Sequence, residues 1–133
     1  KELKTVASGG ELSRLALAIE VLSSGKNSTP TLIFDEVDSG ISGRTAVAVG
    51  RLLHELGNAG QVIAVTHLPQ VAASAHSQLL VSKFKRDVGV VSEIKTLDHA
   101  ERVEEISRMI GGNIITDATR KSARELLGQF SRD

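Results

Sequence analysis

Apolar residues along this chain fall into two rhythms, one with the 3.6-residue period of a helix and one of short unbroken runs. From Glu11 to about Ser24, Leu12, Leu15, Ala16, Ile19 and Leu22 share a helical face, while Leu17, Ala18 and Val21 make the other side apolar too. That pattern predicts a largely buried helix. Gly25 to Pro30 reads as a loop leading to Thr31-Leu32-Ile33-Phe34, an apolar run that ends in Asp35-Glu36. A short run without alternation predicts a strand covered on both faces, as in a parallel sheet. Asp38 to Gly43 has the polar, glycine-containing composition of a turn. A second helix is predicted from Arg44 to about Leu56, with Ala46, Val49, Gly50, Leu53 and Leu56 on one stripe. Gln61 to Thr66 repeats the buried-strand pattern and is closed by His67-Leu68-Pro69; a short helix is expected over Gln70 to Ala75.

Beyond Ala75 the pattern changes. Leu79 to Phe84 and Val90 to Leu97 predict two strands joined by a charged turn near Lys85-Arg86-Asp87. Asp98, with Glu101 three residues on, predicts a capped helix that stops at Gly111-Gly112. A last helix from about Asp117 places Ala123, Leu126, Leu127 and Phe130 on one face. The order α-β-α-β-α-β-β-α-α predicts an α/β layered fold, with parallel core strands flanked by helices and a C-terminal β-hairpin and two helices.

Composition narrows what this fold can do. The 133 residues suit one domain, which buries about two-thirds of its extended-chain surface. A hydrophobic fraction of 41% argues against disorder. Lys+Arg and Asp+Glu are 16 each, so the basic excess of a domain that grips nucleic acid by itself is missing. With three Phe and no Trp or Tyr, a base-stacking platform is not expected. The absence of cysteine excludes thiolate metal sites and disulfides within the chain. The longest purely apolar stretch, Leu15 to Ile19, is far too short for a membrane span. We therefore expect a soluble, intracellular protein. Because the chain starts at Lys1 and reaches a glycine-rich motif within eight residues, it also reads as a piece of something longer.

Three places carry candidate chemistry. Ser8-Gly9-Gly10-Glu11 stands directly before the first helix, where Ser8 and Glu11 have capping-box spacing. A cap does not account for two glycines in a first helical turn, each costing about 1 kcal/mol against alanine. Glycines there suit a ligand that approaches the backbone, and a helix N-terminus favours an anion, phosphate above all. Asp35-Glu36 lies at the carboxyl end of a predicted buried strand, where open α/β sheets place their ligands. Salt bridges to distant basic residues are one explanation of the pair; a magnesium site beside a general base is the other. His67 ends the second such strand, either as a structural histidine or as a donor to a phosphate oxygen. Asp38-Ser39-Gly40 is turn chemistry whose functional alternative is contact across an interface, and Lys83, Lys85 and Arg86 read as a solvated hairpin tip, with phosphate contact as the lesser alternative. Arg120, Lys121 and Arg124 read as an exposed helix face. A P-loop is absent: the only Gly-Lys pair, Gly25-Lys26, is followed by Asn27, and Glu20 stands where the first glycine is required.

Taken in order, Val6-Ala7-Ser8-Gly9-Gly10-Glu11-Leu12-Ser13-Arg14, the stretch Thr31 to Gly43, and Val65-Thr66-His67-Leu68-Pro69-Gln70-Val71-Ala72 resemble the C-terminal half of an ABC-type (P-loop NTPase) ATPase head. The resemblance covers essentially the whole chain, residues 1–133, and is closest to the SMC-like DNA-repair branch. The Gly111-Gly112 stop before a final amphipathic helix is similar too. Ala7 departs from the Leu that transporters and most SMC proteins carry, whereas the DNA-repair branch tolerates Ala.

The resemblance implies a role for each motif. Ser8, Gly9, Gly10 and Glu11 match the signature motif that meets the ATP held by an opposite head. Asp35 matches the Walker B aspartate that helps hold Mg2+, and Glu36 the glutamate that polarises the attacking water. Asp38 matches the D-loop aspartate of the head–head interface, and His67 the switch histidine. The complete protein is then expected to be a bacterial, cytoplasmic, nucleoid-associated ATPase that uses ATP and Mg2+. Its partners would be the P-loop half of the same head, a second head in an ATP-sandwiched homodimer, and DNA at double-strand breaks during repair and recombination, with no membrane partner. This chain alone is expected to be inactive. The alternatives are a nucleotide-binding subunit of another ABC-type ATPase, whether a transporter or an SMC/RecF-like protein, and a non-catalytic interaction module of the same fold.

Overall fold

The computed structural model describes residues 31–35 and 43–131. The predicted helix over Glu11 to Ser24, the loop to Pro30 and most of the Asp38 turn lie outside the described residues. The first described strand, β1 (Leu32–Asp35), runs parallel to β2 (Val62–Val65), and α1 (Gly43–Ala59) connects them. Leu32 pairs with Val62 and Asp35 with Val65. Leu32 and Phe34 turn inward onto Ala46, Val49, Leu53 and Leu56 of α1, and Val71 closes this first core. The stripe expected on the second helix is therefore the buried one.

No described element covers the other face of the strands. Ile33, Ile63 and Val65 stay 57%, 45% and 52% exposed, so only one face of the pair is packed among the described residues. An apolar run without alternation states that both faces prefer burial. It does not state that both partners belong to the same stretch of chain.

The second helix outruns its predicted end at Leu56 by three residues, passing through Gly57. A Cβ at Gly57 would come within 3.1 Å of the His76 ring, so the glycine there makes room for a neighbour instead of ending the helix. Farther along α1, a Cβ at Gly50 would lie 3.0 Å from the Gln70 carbonyl oxygen and 3.1 Å from Ser74 Cβ. That close approach brings in α2 (Pro69–Ala72), which starts one residue earlier and stops sooner than predicted. Pro69 occupies its first turn, where a missing N–H costs nothing.

The hairpin consists of β3 (Leu79–Arg86) and β4 (Gly89–Thr96), antiparallel from Leu79↔Thr96 to Arg86↔Gly89. Lys85 and Arg86 are thus strand residues, and the turn is Asp87-Val88, followed by Gly89 at φ 124°. Arg86 lies over the Phe84 ring at 5.6 Å, so the basic tip is partly stacked as well as solvated.

Two helices follow, α3 (His99–Gly111) and α4 (Asp117–Gly128), each opened by a capping box, Asp98 with Glu101 and Thr116 with Thr119. Gly112, at φ 75°, ends α3 in a backbone region that side chains disfavour. Val103 and Ile106 pack on Ala123, Leu127 and Ala73 in a second core. Arg120 is not simply exposed: its Nε donates to Glu104 of α3 at 2.8 Å, pinning the two helices together. Arg102 joins the second core to the first. Its Nε donates to Gln78 Oε1 and its Nη2 to the Ala72 carbonyl, both at 3.0 Å.

A histidine pair occupies the same seam. The rings of His54 and His76 stack at 4.1 Å, Phe130 stands 5.3 Å from His54, and His54 Nδ1 donates to the Ser74 carbonyl at 2.6 Å. His76 Nε2 donates to Asn58 Oδ1 at 2.8 Å. Partial burial against that stack pushes the His76 pKa below its ordinary 6.5, and the neighbouring His54 and Arg102 push the same way. Much of the ring stays exposed, so water screens part of the effect. Folding therefore favours neutral His76. Its contribution to stability is complete above pH 6.5 and fades as the pH falls through the lower folded value. His76→Phe keeps an aromatic ring but cannot titrate, so melting temperature should fall less between pH 7 and 5 than in the wild type. Identical acid slopes would show that His76 carries none of the dependence.

Candidate functional site

Parallel strands present all their carboxyl ends on one edge, and the register here makes that edge specific. Asp35 closes β1 opposite Val65, the last residue of β2, and His67 follows two residues later. Adjacent strands lie ~4.8 Å apart, so both candidate residues stand at the same carboxyl edge of the pair, His67 two residues beyond the end of β2. Asp35 is exposed and shares the open sheet face with Ile33, Ile63 and Val65. A carboxylate at the border of an apolar surface gains electrostatic strength once that surface is covered and water leaves.

His67 is exposed in the turn from β2 into α2, where Thr66 Oγ1 accepts from the Leu68 backbone N–H at 3.0 Å. That bond closes a tight turn over His67. Pro69 then stiffens the entry to α2. Both devices hold the histidine's backbone at the rim with little freedom.

The structure thus brings together Asp35 and His67, which stand 32 residues apart in the chain. Glu36, Asp38, Ser8, Gly9, Gly10 and Glu11 lie outside the described residues. Among the described residues no cluster of three or more His, Asp or Glu is arranged to hold a metal. A lone carboxylate does suit Mg2+ at a phosphate site, where the ion keeps waters and takes one or two carboxylates plus phosphate oxygens. Residues that support the rim were not singled out from the sequence. Thr66 reads there as a strand end, Gln70 as a helix residue and Arg102 as part of an amphipathic helix; pairings across the chain carry no local signal.

No family model matches this chain. It is similar to the DNA repair protein RecN of Vibrio cholerae, with 52% identity over 122 residues, covering 92% of this chain and 22% of that protein. RecN of Haemophilus influenzae is 51% identical over 125 residues (94% and 22%), and RecN of Bacillus subtilis 46% over 129 residues (97% and 22%). The chain spans about a fifth of the length of these curated relatives. Among solved structures it is similar in fold to an SMC ATPase from work on ATP-driven dimerization and DNA-stimulated activation. There the TM-score is 0.58 at 24% identity, covering 77% of this chain and 62% of that one. The α/β architecture with a parallel pair, a hairpin and two closing helices is thus an SMC-ATPase-type fold.

Proposed function

This chain is a homologue of a segment of the RecN DNA repair proteins and has an SMC-ATPase-type fold, and from that premise we propose that it is the C-terminal half of an ATPase head. In this reading the complete protein binds and hydrolyses ATP between two heads and so controls its hold on DNA during double-strand break repair. The observation that carries it is the parallel register that sets Asp35 and His67 on one carboxyl edge. Ser8, Gly9 and Gly10, with Glu11 beside them, would meet the γ-phosphate of ATP bound to the opposite head, and Asp38 would lie at the head–head contact.

Each residue has a defined task. Asp35 would help hold Mg2+, which when bound would supply positive charge against the phosphates. Glu36 would take the proton of the attacking water as general base. His67 donates to a phosphate oxygen from a turn that Thr66 and Pro69 keep in place. Phosphoryl transfer depends on such positioning more than on covalent chemistry. ATP bound at two heads at once holds them together, and its hydrolysis lets them part.

Among the described residues the parallel sheet has two strands, and its face with Ile33, Ile63 and Val65 is apolar and open, a surface that suits a cover from further chain. A segment bearing the P-loop would supply that cover. No described helix is long and apolar enough to cross a membrane.

The test is reconstitution. Purified alone, the chain should show no ATP hydrolysis above background, because it lacks the Gly-x-x-x-x-Gly-Lys-Ser/Thr loop. Adding the P-loop half in trans should restore turnover. Robust hydrolysis by the lone chain would refute the split site.

A further inference from the structure

β4 has one edge that no described strand pairs with. Among the described residues it bonds to β3 alone, in unbroken register from Thr96 to Gly89, and every one of its residues is exposed. Long, regular edges invite another strand, and proteins usually blunt them with proline, bulges or lysine. Antiparallel pairs alternate between bonded and non-bonded, which fixes the residues whose backbone groups face outward. Arg86↔Gly89 closes the two-residue turn and is a bonded pair. An even number of positions on, the Leu97 N–H still donates to the Gln78 carbonyl at 2.9 Å. The outward groups therefore belong to Leu79, Val81, Lys83 and Lys85 on β3, and to Val90, Ser92, Ile94 and Thr96 on β4. On β3 that row carries two lysines, whereas on β4 it carries no charge. β4 is the unguarded edge.

A strand added there must set outward groups against outward groups. When the added strand is β4 of a second copy, antiparallel about a two-fold axis, that axis must pass through a residue. An axis at Glu93 or at Lys95 faces that side chain with its own copy, and like charges directly opposite are destabilising. An axis at Ser92 gives neither residue an opposite charge. An axis at Ile94 sets each Glu93 opposite the partner's Lys95, twice over, and each Ser92 opposite the partner's Thr96. The same register lines up Val81, Ile94, the partner's Ile94 and the partner's Val81 as one apolar row across four strands. Those side chains are 60% and 65% exposed in the single chain.

We propose that β4 is a contact surface for a second copy of this chain, joined edge to edge and antiparallel about Ile94. Lys95 already meets Glu101 of α3 in an exposed ion pair, which the partner's Glu93 extends without breaking. The contact is short and belongs to the weak, reversible class. It needs no nucleotide, so it is separate from the ATP-held association of heads and does not rest on the ATPase reading. Two unlike contacts on one head let paired heads join into longer assemblies.

Cysteine trapping in the full-length protein tests it, without nucleotide and with any other cysteine removed; this chain contains none. Across the axis the two Cα atoms of residue 94 would lie ~5.5 Å apart, within disulfide range, whereas residue 92 would stand about 14 Å from its own copy. On mild oxidation Ile94→Cys should close a disulfide dimer, and because Ile94 is exposed the change leaves the core intact. Ser92→Cys and Thr96→Cys should form none when each is alone, but should cross-link to each other when mixed. Adding Glu93→Lys to Ile94→Cys should lower the yield roughly tenfold, since both charge pairs become repulsive. Mixing that chain with one carrying Ile94→Cys and Lys95→Glu restores opposite charges and should recover it. Equal yields at residues 92, 94 and 96, or indifference to the charge changes, would mean random collision and overturn the proposal. Absence of the Ile94→Cys dimer would overturn it as well. Hydrogen exchange at the Ser92, Ile94 and Thr96 amides would then separate an edge paired with another segment of the full-length protein, which protects them, from one that stays open.

Discussion

Replacing Glu36 by glutamine in the full-length protein is expected to slow ATP hydrolysis roughly 10²–10⁴-fold, while ATP-driven association of the heads persists. The two halves of that result have separate physical origins. Glutamine keeps the size and the hydrogen-bonding capacity of the side chain but cannot accept the proton of an attacking water. The loss amounts to about 3–5 kcal/mol of barrier. In the proposed reading, association would depend instead on phosphate contacts from Ser8, Gly9 and Gly10 of the facing head, which the substitution would leave in place. Removing a negative charge beside Asp35 should if anything strengthen nucleotide binding. Single-turnover phosphate release together with sedimentation in ATP and Mg2+ reads both quantities. Wild-type hydrolysis would strip Glu36 of its assigned role, and loss of association with normal binding would misplace the signature motif.

Truncating Ile106 to alanine should be the most damaging change to the fold itself. Ile106 is 0% exposed and sits between Val103, Ala73, Ala123 and Leu127. The substitution removes roughly three carbons' worth of burial, at ~0.8 kcal/mol each, and leaves a void. The void cannot easily collapse, because Ala73 and Ala123 already bring backbones close and have no longer side chain to move in. A total of about 2–5 kcal/mol follows, a large part of the roughly 5–15 kcal/mol that holds a domain together. In a protein of this size that lowers the melting temperature by roughly 10 °C or more. Ile110→Ala, one turn farther along α3 but 37% exposed, is the control and should cost far less. Equal losses at the two positions would mean that the α3–α4 core is not packed as described.

The consequences reach the rim as well. α3 carries Arg102, which holds the Ala72 carbonyl at the end of α2 and Gln78 before the hairpin. Loosening the second core frees that anchor and so slackens the helix behind His67. Core damage is therefore expected to depress activity along with stability, whereas Glu36→Gln separates the two.

Element by element, local pattern went far. The apolar stripe on α1, the capping box at Asp98, the glycine stop of α3 and the buried face of α4 follow from spacing that any short window of the chain displays. So do the existence of β1 and β2 and their bias toward a parallel sheet, because unalternating apolar runs suit little else. Ends were less secure, and for stated causes. Gly57 continues a helix because His76 lies against it, and Lys85 and Arg86 extend a strand because the turn closes in two residues.

Among the candidate site residues, Asp35 and His67 were legible as strand-end positions, and the turn after β2 was legible as a turn. Their place on one edge was not, since it depends on a register between strands separated by a whole helix. The His54–His76 stack, the grip of Arg102 on Ala72 and the close approach of α2 to Gly50 were equally silent. Periodicity and capping are encoded within a turn or two of chain, so the order of residues is enough to reveal them. Which distant side chains meet is decided by how helices and strands fill space against one another, and only the folded arrangement contains that information.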